Sequence, residues 1–386
     1  MDMLARTREI LGQLVAFPTV SAAGNLELIA YAADLLSSAG ATLSFSRDES
    51  GAKANIFATL GPSGDGGVVL SGHTDVVPVD GQEWTGDPFR MEERDGRLYG
   101  RGTCDMKGFI AACLAMAPAF ARTELGRPLH FALTYDEEVG CLGARTLIQE
   151  LARSGLRPSV AIVGEPTEMR VIEGHKGCYE YTTEFVGLEG HGSQPAHGVN
   201  AVEYAVRYVS RLLDIGERLK PRAPAGSRFD PPWTTVQVGA MSGGSARNVI
   251  AGQCRVEWEM RPVQLADADF VRRDIGDYVD RVLRPAMKSV SPQADIVTTT
   301  IGEVEGLEVV EESEARRIVF ELTGANEADV VAFGAEAGLF QTAGMSAVIC
   351  GPGSIAQAHK PDEYVALDQL QACLDMLEAL RAKMAR

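Results

Sequence analysis

Apolar residues recur along this chain with two different spacings, and each spacing predicts a different kind of element. Near the start they lie three and four residues apart, which predicts amphipathic helices at residues 4–15 and 26–38. Beyond residue 50, short apolar runs alternate with longer stretches of helical spacing. Runs of that kind are typical of strands that are buried on both faces of a sheet. The pattern therefore predicts an α/β fold.

We expect the buried strands to form a mixed sheet that is covered by helices on both faces. Sheets of this class hold their chemistry at strand ends and in the loops that follow them. The predicted strands are residues 54–58, 67–70, 129–135 and 160–164, and the predicted helices among them are residues 106–120 and 143–151.

A different pattern follows residue 175. Four runs alternate between apolar and polar residues, as strands with one exposed face do, and two helical stretches separate them. The resulting order, strand–helix–strand–strand–helix–strand, is that of a ferredoxin-like α+β unit. We therefore predict a small domain at residues 176–302, inserted into a larger domain made of residues 1–175 and 303–386. Its predicted elements are residues 179–185, 201–213, 234–241, 253–260, 270–283 and 296–300.

Composition and charge narrow the classes of function. The 386 residues include 36 basic and 53 acidic ones, a net charge of −17, and no basic run. Such a surface repels nucleic acid and anionic membranes, so neither is an expected partner. The seven scattered cysteines lack any C-x-x-C spacing, which indicates reduced thiols. Because the start of the chain also lacks the features of a secretory signal, we expect a cytoplasmic protein.

Candidate chemistry begins just after the predicted strand at residues 67–70, with the pair His73 and Asp75. Residues two apart on a strand point to the same side, so the two side chains are expected to share one face. A metal-binding imidazole is commonly oriented by a carboxylate on its second nitrogen. The pair therefore suits a metal ligand and its orienting group.

Further acidic and imidazole side chains lie beside the ends of predicted elements. Two histidines and several carboxylates, without cysteines in equivalent places, suit zinc, cobalt or manganese. Each position also has an ordinary structural interpretation: Asp105 can cap the helix at residues 106–120, and Glu165 can belong to a turn before Pro166. A purely structural explanation would have to apply separately at every one of these positions, which would be a coincidence, so we favour a metal site. The positions are Asp105, Glu137, Glu138, Glu165 and His359.

Motifs along almost the whole chain resemble those of the dinuclear zinc amidohydrolases of the aminoacylase and acetylornithine deacetylase superfamily, and they occur in the order of that superfamily. The resemblance implies a zinc-peptidase-like catalytic domain with two divalent metal ions, zinc first and cobalt or manganese as alternatives. It also implies that the inserted domain is a lid and dimerisation domain, hence a homodimer. The motifs are SGHTDVVP, GRGTCDMKG, TYDEEVGCLGA, VGEPT, GHGSQPAHG, GGSARNVI and GPG…AHKPDEYV.

The resemblance assigns roles in the catalytic domain. Asp75 is the implied orienting carboxylate. Glu137 is the implied general base, which takes a proton from the attacking water and later delivers it to the leaving amine. The implied metal ligands are His73 and Glu165 for one ion, Glu138 and His359 for the other, and Asp105 for both.

Three residues of the inserted domain are implied to act on the substrate. By resemblance, His191 reaches the active site of a neighbouring subunit and stabilises the oxyanion of the tetrahedral intermediate. Asn248 and Arg261 are implied substrate contacts, and the arginine fork suits a carboxylate.

The segments DGQEWTGDPFRMEERDGRLYGRGTCDMKGFIAA, DEEVGCLGAR and GHKG are most similar to the acetylornithine deacetylases of the superfamily. The implied reaction is hydrolysis of N2-acetyl-L-ornithine to L-ornithine and acetate, a step of arginine biosynthesis. Another N-acyl amino acid stays open as the substrate, as in acetylcitrulline deacetylases, general aminoacylases or succinyl-diaminopimelate desuccinylases. Two further alternatives are a metal-free relative that does no catalysis and a hydrolase with a single ion held by His73, Asp105 and Glu165.

Overall fold

The computed structural model describes residues 2–21 and 23–386, and the chain divides into two compact units. The insertion predicted at residues 176–302 lies within the smaller unit, whereas a short return segment of that unit is not predicted by the pattern. The larger unit comprises Met1–Gly174, Val309–Val330 and Ala335–Arg386, and the smaller unit comprises His175–Glu308 and Val331–Gly334.

The secondary structure follows the predicted alternation of helices and strands. In chain order, the helices of the described residues, α1 to α10, are Met3–Val15, Leu26–Ser38, Gly108–Ala121, Leu142–Ser154, Ala201–Leu219, Leu265–Tyr278, Arg284–Lys288, Glu314–Thr323, Ala337–Thr342 and Leu367–Met384. The strands, β1 to β17, are Thr42–Arg47, Ala54–Leu60, Val68–His73, Glu92–Arg94, Arg97–Tyr99, Leu129–Thr134, Val160–Pro166, Val171–His175, Cys178–Val186, Gly190–His191, Thr235–Gly243, Val249–Ile250, Gln253–Arg261, Asp295–Val304, Ala328–Val331, Ser346–Gly351 and Tyr364–Ala366.

An eight-stranded mixed sheet, in the order β1-β2-β6-β3-β7-β16-β8-β15, forms the centre of the larger unit. Strand β3 runs parallel to both β6 and β7, and β7 runs parallel to β16. The pairs β1–β2 and β2–β6 are antiparallel. This arrangement confirms the predicted mixed α/β sheet. The four parallel strands end at the same edge, which is where sheets of this class bind ligands.

Helices cover both faces of this sheet. On one face, alternate strand residues such as Leu70, Phe131 and Ile162 join side chains of α1, α2, α3 and α10 in one buried core. On the other face, α4 contacts β2 and β6, and α9 contacts β7 and β16. The segment Thr103–Ala121, which ends in α3, is long and apolar enough to cross a membrane, but 83% of it is buried within the protein. It is therefore the central helix of this core.

The smaller unit contains a four-stranded antiparallel sheet in the order β11-β13-β9-β14. Along β13, the buried residues Val256, Trp258 and Met260 alternate with more exposed ones and pack in one core with α5 and α6. This is the predicted one-sided alternation, and the order of elements is that of the predicted ferredoxin-like unit. The helix predicted at residues 270–283 begins earlier, at Leu265.

Candidate metal centre

The predicted metal ligands meet at the edge of the larger sheet where its parallel strands end. His73 is the last residue of β3, and Glu165 lies at the end of β7. Glu138 lies in the loop after β6, and His359 lies in the loop after β16. Asp105 comes from an irregular turn that precedes α3. Parallel pairing of the strands thus gathers side chains that are far apart in the sequence.

Asp105 lies between the two histidines. Its Oδ1 is 2.9 Å from His73 Nε2, and its Oδ2 is 3.3 Å from His359 Nε2. Each histidine also faces a second carboxylate. His73 Nε2 is 3.7 Å from Glu165 Oε1, and His359 Nε2 is 3.1 Å from Glu138 Oε2. A carboxylate that turns one oxygen toward each of two such pairs has the arrangement required of a bridging ligand.

The backbone at Asp105 explains how its side chain reaches this position. Its φ and ψ are −120° and 92°, and those of Met106 are −134° and 34°, so neither residue is helical. Helix α3 begins at Gly108 and its N-cap position is Lys107. The helix predicted from residue 106 therefore begins later, and the alternative in which Asp105 caps it is wrong.

The donor atoms fit divalent cations. Ligand atoms of His73, Asp105 and Glu138 all lie within 4.8 Å of one another, and so do those of His73, Glu137 and Glu165. Among the described residues, Glu165 Oε1 is buried without a hydrogen-bond partner. An unpartnered buried oxygen is costly, and coordination of a cation satisfies it. Imidazole and carboxylate donors suit zinc, cobalt or manganese.

The electrostatics of the site point the same way. Burial raises the pKa of Glu165 well above its usual range, and the charge of Asp105 raises it further. Burial and the charge of Asp105 also raise the pKa of Glu138. Hydrogen bonds to Asp105 and Glu138 raise the pKa of His359 to about 10. Burial opposes the charged form of His73, yet its hydrogen bond to Asp105 keeps the pKa well above the ordinary value. These directions report an excess of negative charge, which a divalent cation balances.

Glu137, the predicted general base, lies beside these ligands. Burial raises its pKa well above the usual range of a carboxyl group, and the charge of Glu138 adds to this effect. Cys141 Sγ donates a hydrogen bond to Glu137 Oε1 at 3.5 Å. A carboxylate with a raised pKa suits proton transfer near neutral pH, because it can both accept and release a proton there.

Asp75 makes different contacts from those that the two-residue spacing predicts. Strand β3 ends at His73, so the two side chains do not share a strand face. His73 Nδ1 donates to the backbone oxygen of Asp75 at 3.0 Å, whereas the nearest carboxylate oxygen is 3.5 Å away. The carboxylate accepts the N–H groups of Glu137 and Glu138 at 3.1 and 3.3 Å and the Ser21 hydroxyl at 2.8 Å. Asp75 thus contacts His73 mainly through its backbone carbonyl. Its carboxylate holds the loop after β6 that carries Glu137 and Glu138, here called the glutamate loop.

Two of the residues predicted from the smaller unit lie together at its surface. The short strands β10 and β12 pair antiparallel, and His191 lies opposite Val249. The backbone N–H of Gly192 donates to the carbonyl of Asn248 at 2.8 Å. Both His191 and Asn248 are exposed, and His191 Nδ1 is 2.7 Å from Ser193 Oγ. The pairing of these two segments therefore brings the backbones of His191 and Asn248 close together.

Arg261, the third of these residues, ends β13 and already has a partner. Its Nε and Nη2 donate to one oxygen of Glu259 at 3.1 and 2.7 Å. Two strand residues of the same face thus form an ion pair that no motif in the sequence predicts.

Two buried carboxylates near the centre were also not predicted. Asp136 precedes the glutamate pair, has a φ of +53°, and forms an ion pair with Lys53 at 2.6 Å. Glu336 is fully buried and accepts hydrogen bonds from the hydroxyls of Ser71 on β3 and Thr134 on β6. Adjacency to the glutamates is a sequence signal for Asp136. Glu336, in the segment GAEAG, follows no predicted strand, so no local pattern points to it.

The sequence pattern of Peptidase family M20/M25/M40 matches this chain over residues 69–383. The matched region holds all the predicted metal ligands. The chain belongs to this family. It is a metal-dependent hydrolase that acts on amide bonds, in agreement with the donor set described above.

Relatives within the M20 family include acetylornithine deacetylases. The one from Myxococcus xanthus is 38% identical over 380 residues, and the alignment covers 96% of each chain. The one from Pasteurella multocida (strain Pm70) is 34% identical over 383 residues, again with 96% of each chain covered. The crystal structure of a Bacillus subtilis dinuclear metal-binding peptidase of the family superposes with a TM-score of 0.66 at 16% identity, covering 99% of this chain and 98% of that one. This last likeness shows the shared fold.

Proposed function

We propose that this M20 family hydrolase converts N2-acetyl-L-ornithine and water to L-ornithine and acetate, a step of arginine biosynthesis. The substrate is supported by the two acetylornithine deacetylases that are 38% and 34% identical to the chain over 96% of its length. The observation that carries the reaction class is the position of Asp105, with one oxygen toward His73 and the other toward His359.

We infer that the centre holds two divalent ions, with zinc as the first candidate and cobalt or manganese as alternatives. His73 and Glu165 are the proposed ligands of one ion, and Glu138 and His359 are those of the other. Asp105 is the proposed ligand of both. Metal analysis of the purified protein tests this assignment. One ion per chain at saturating supply would instead support the single-metal alternative, and no binding of divalent metal would support the metal-free one.

Glu137 performs the proposed proton transfer. When bound, the ions supply a Lewis acid for the acetyl carbonyl oxygen and lower the pKa of the attacking water. Glu137 takes a proton from that water as its oxygen bonds to the acetyl carbon. It then gives the proton to the ornithine nitrogen as the C–N bond breaks. The Cys141 thiol donates a hydrogen bond to the Glu137 carboxylate and so helps to position it.

The smaller unit supplies the proposed substrate contacts. His191 is the proposed hydrogen-bond donor to the oxyanion, and Asn248, beside the strand that pairs with that of His191, is the proposed contact to the amino-acid part. Arg261 is proposed to bind the substrate carboxylate. Because Glu259 accepts one N–H each from Nε and Nη2 of this guanidinium, the substrate carboxylate can use the remaining N–H groups of Nη1 and Nη2, or displace Glu259.

We also propose a cytoplasmic homodimer formed through the smaller unit. Apolar side chains are exposed on α5, where Val206 and Leu213 are 54% and 60% accessible, and on the edge strand β14, where Val297 and Ile301 are 50% and 57% accessible. Such helix and edge-strand surfaces are typical of subunit contacts. The seven cysteines form no disulfide within the described residues, which fits a reducing compartment. Sedimentation equilibrium tests the dimer, and a species at the 41.3 kDa of one chain at micromolar concentration would contradict it.

Steady-state kinetics on a panel of N-acyl amino acids tests the substrate. We expect the highest kcat/KM for N2-acetyl-L-ornithine, with lower values for acetylcitrulline, other N-acetyl amino acids and succinyl-diaminopimelate. The variant Glu137→Gln is the matched control, because it should bind metal and substrate without turning over. A preference for a succinyl group or a peptide would overturn the acetylornithine assignment and leave the reaction class intact.

A further inference from the structure

Glu363 is a buried carboxylate that has no role in the chemistry proposed above. It is 1% exposed and faces the turn that carries Asp105. Its Oε1 accepts the backbone N–H groups of Cys104 at 2.9 Å and Asp105 at 3.0 Å. Its Oε2 accepts the N–H of Gly102 at 3.0 Å and Nη1 of Arg101 at 2.8 Å. Each carboxylate oxygen therefore serves two donors.

The converging N–H groups form a concave anion-binding surface of the kind that loops use to hold phosphates. In this chain the anion is a side chain of the protein itself. Gly102 allows the backbone to curve, because its φ is +83° and a Cβ there would lie 2.7 Å from Val76 Cγ1. The shape of the turn thus depends on a glycine and on the carboxylate of Glu363.

Arg101 extends these contacts to the loop of the second histidine. It is 1% exposed, and its Nη2 donates to Gln82 Oε1 at 2.6 Å. Gln82 Nε2 in turn donates to the backbone oxygen of His359 at 2.9 Å. A continuous hydrogen-bonded path therefore joins the backbone of Asp105 to the backbone of His359 through Glu363, Arg101 and Gln82.

We propose that Glu363 is a positioning residue of the metal centre, which holds Asp105 and His359 at the separation needed to bind one ion together. The inference rests on the proposed dinuclear site. Glu363 acts through the two loops and touches neither ion nor substrate. His73 is fixed independently at the end of β3, between two parallel strands. Loss of Glu363 should therefore weaken the ion held by His359 more than the ion held by His73.

The variant Glu363→Gln isolates this role, because it keeps the volume of the side chain. In either orientation of the glutamine amide, its NH2 group replaces one of the two carboxylate oxygens. That NH2 group cannot accept from the two N–H donors that bond to the oxygen in wild type. The matched control is Asp267→Asn in the smaller unit. Asp267 is 0% exposed and accepts hydrogen bonds from Arg222 Nε and Thr234 Oγ1, both at 2.7 Å. Like Glu363 it is a buried carboxylate paired with a guanidinium, although its partner Arg222 is 39% exposed, and both residues lie in the smaller unit, which holds none of the proposed metal ligands.

Cobalt titration provides the measurement. Wild type, Glu363→Gln and Asp267→Asn are freed of metal with a chelator and titrated with Co²⁺, with calorimetry and visible absorption as readouts. We expect wild type and Asp267→Asn to bind two ions. In Glu363→Gln, the dissociation constant of the more weakly held ion should rise by about 10-fold to 100-fold, and the absorption bands of that ion should change.

The other possible outcomes of the titration would each count for or against the positioning role of Glu363. Two ions bound by Glu363→Gln with wild-type affinity and spectrum would overturn the positioning role alone. Equal weakening in Asp267→Asn would also overturn it, because the loss would then be general. Fewer than two ions in wild type would overturn the dinuclear site and the role of Glu363 with it. If Glu363→Gln does not fold by circular dichroism, Gln82→Ala decides: a smaller weakening of the same ion supports the proposal, and unchanged affinity overturns it.

Discussion

Two histidines, one in each unit, show how differently the two parts of this molecule hold their chemical groups. His73 is 1% exposed, ends a strand that is buried along its whole length, and contacts a carbonyl and the Asp105 carboxylate. His191 is exposed, lies on a two-residue strand, and bonds through Nδ1 to the Ser193 hydroxyl. The core of the larger unit holds the first histidine, whereas a short pair of strands at the surface holds the second.

The difference follows from what each group has to do. Metal ligands of like charge repel one another, so the fold must hold them together, and burial with fixed partners provides the restraint. Groups that meet a substrate need access to solvent, so they lie on a surface. Substitutions in the larger unit should therefore change metal binding and stability together. Substitutions of the exposed groups in the smaller unit should change rates alone.

Glu137 is the exception to this expectation in the larger unit, because it lies close to the proposed ligands but transfers a proton instead of binding metal. The variant Glu137→Gln cannot take up the proton of the attacking water, so we expect kcat to fall by about 10²-fold to 10⁴-fold. Because Glu137 is not a proposed ligand, metal content and thermal midpoint should match wild type. Metal analysis and scanning calorimetry check both. Retention of most activity, or loss of metal, would remove Glu137 from the role of general base.

The sequence predicts much of the larger unit because local signals coincide there. Apolar runs such as residues 67–70 and 160–164 mark buried strands, and parallel strands of a sheet end at one edge. Side chains that follow such runs, for example His73 and Glu165, are therefore expected at one site. Asp105 shows the limit of that reasoning: local spacing favours a helix cap, and only the resemblance to a family implied a bridge.

Other contacts escape prediction because they join distant segments through single residues. The partners of Glu363 and Glu336 come from other loops and strands, and no periodic pattern marks either residue. Asp75 escapes for a different reason. The pattern predicts its spacing from His73, but the strand ends between them, so its carboxylate reaches the glutamate loop instead. Burial of polar groups is decided by tertiary packing, which residue spacing does not report.

The clearest test of the smaller unit is His191→Ala. Removal of one donor to an oxyanion commonly lowers kcat by about 10²-fold to 10³-fold, and we expect a loss in that range. Since His191 is exposed, its removal should leave metal content and the urea midpoint unchanged. Steady-state kinetics, metal analysis and urea unfolding provide the three readouts. A variant that keeps wild-type kcat would show that His191 only stabilises its glycine-rich turn.

The counterpart in the larger unit is Asp75→Asn, which, unlike His191→Ala, should lower both the metal affinity and the stability. An amide at this position turns its NH2 group toward the backbone N–H of Glu137 or Glu138. We expect the affinity for metal to fall by about 10-fold to 100-fold, and the free energy of unfolding to fall by about 1.5–3 kcal/mol. Cobalt titration and urea unfolding measure these two effects. If only kcat changed, the proposed coupling of stability and metal binding in this unit would be wrong.

The smallest expected effect is a change of metal affinity with pH, which probes the charge balance around His359 directly. Hydrogen bonds to Asp105 and Glu138 raise the pKa of His359 to about 10, so in the metal-free protein this imidazole is protonated at neutral pH. A ligand must be neutral to bind, so binding of the ion at His359 should release a proton. The affinity should then rise by about tenfold per pH unit between pH 6 and 8.

Calorimetric titrations in two buffers with different ionisation enthalpies measure the released protons. His359→Gln should bind the corresponding ion more weakly and release fewer protons, because the amide does not titrate. No comparable effect is expected for a substitution at the exposed His191, whose unit contains none of the proposed ligands. A binding enthalpy that is independent of the buffer would contradict the charge balance inferred here. It would mean that the carboxylates around His359 do not hold it protonated before the ion binds.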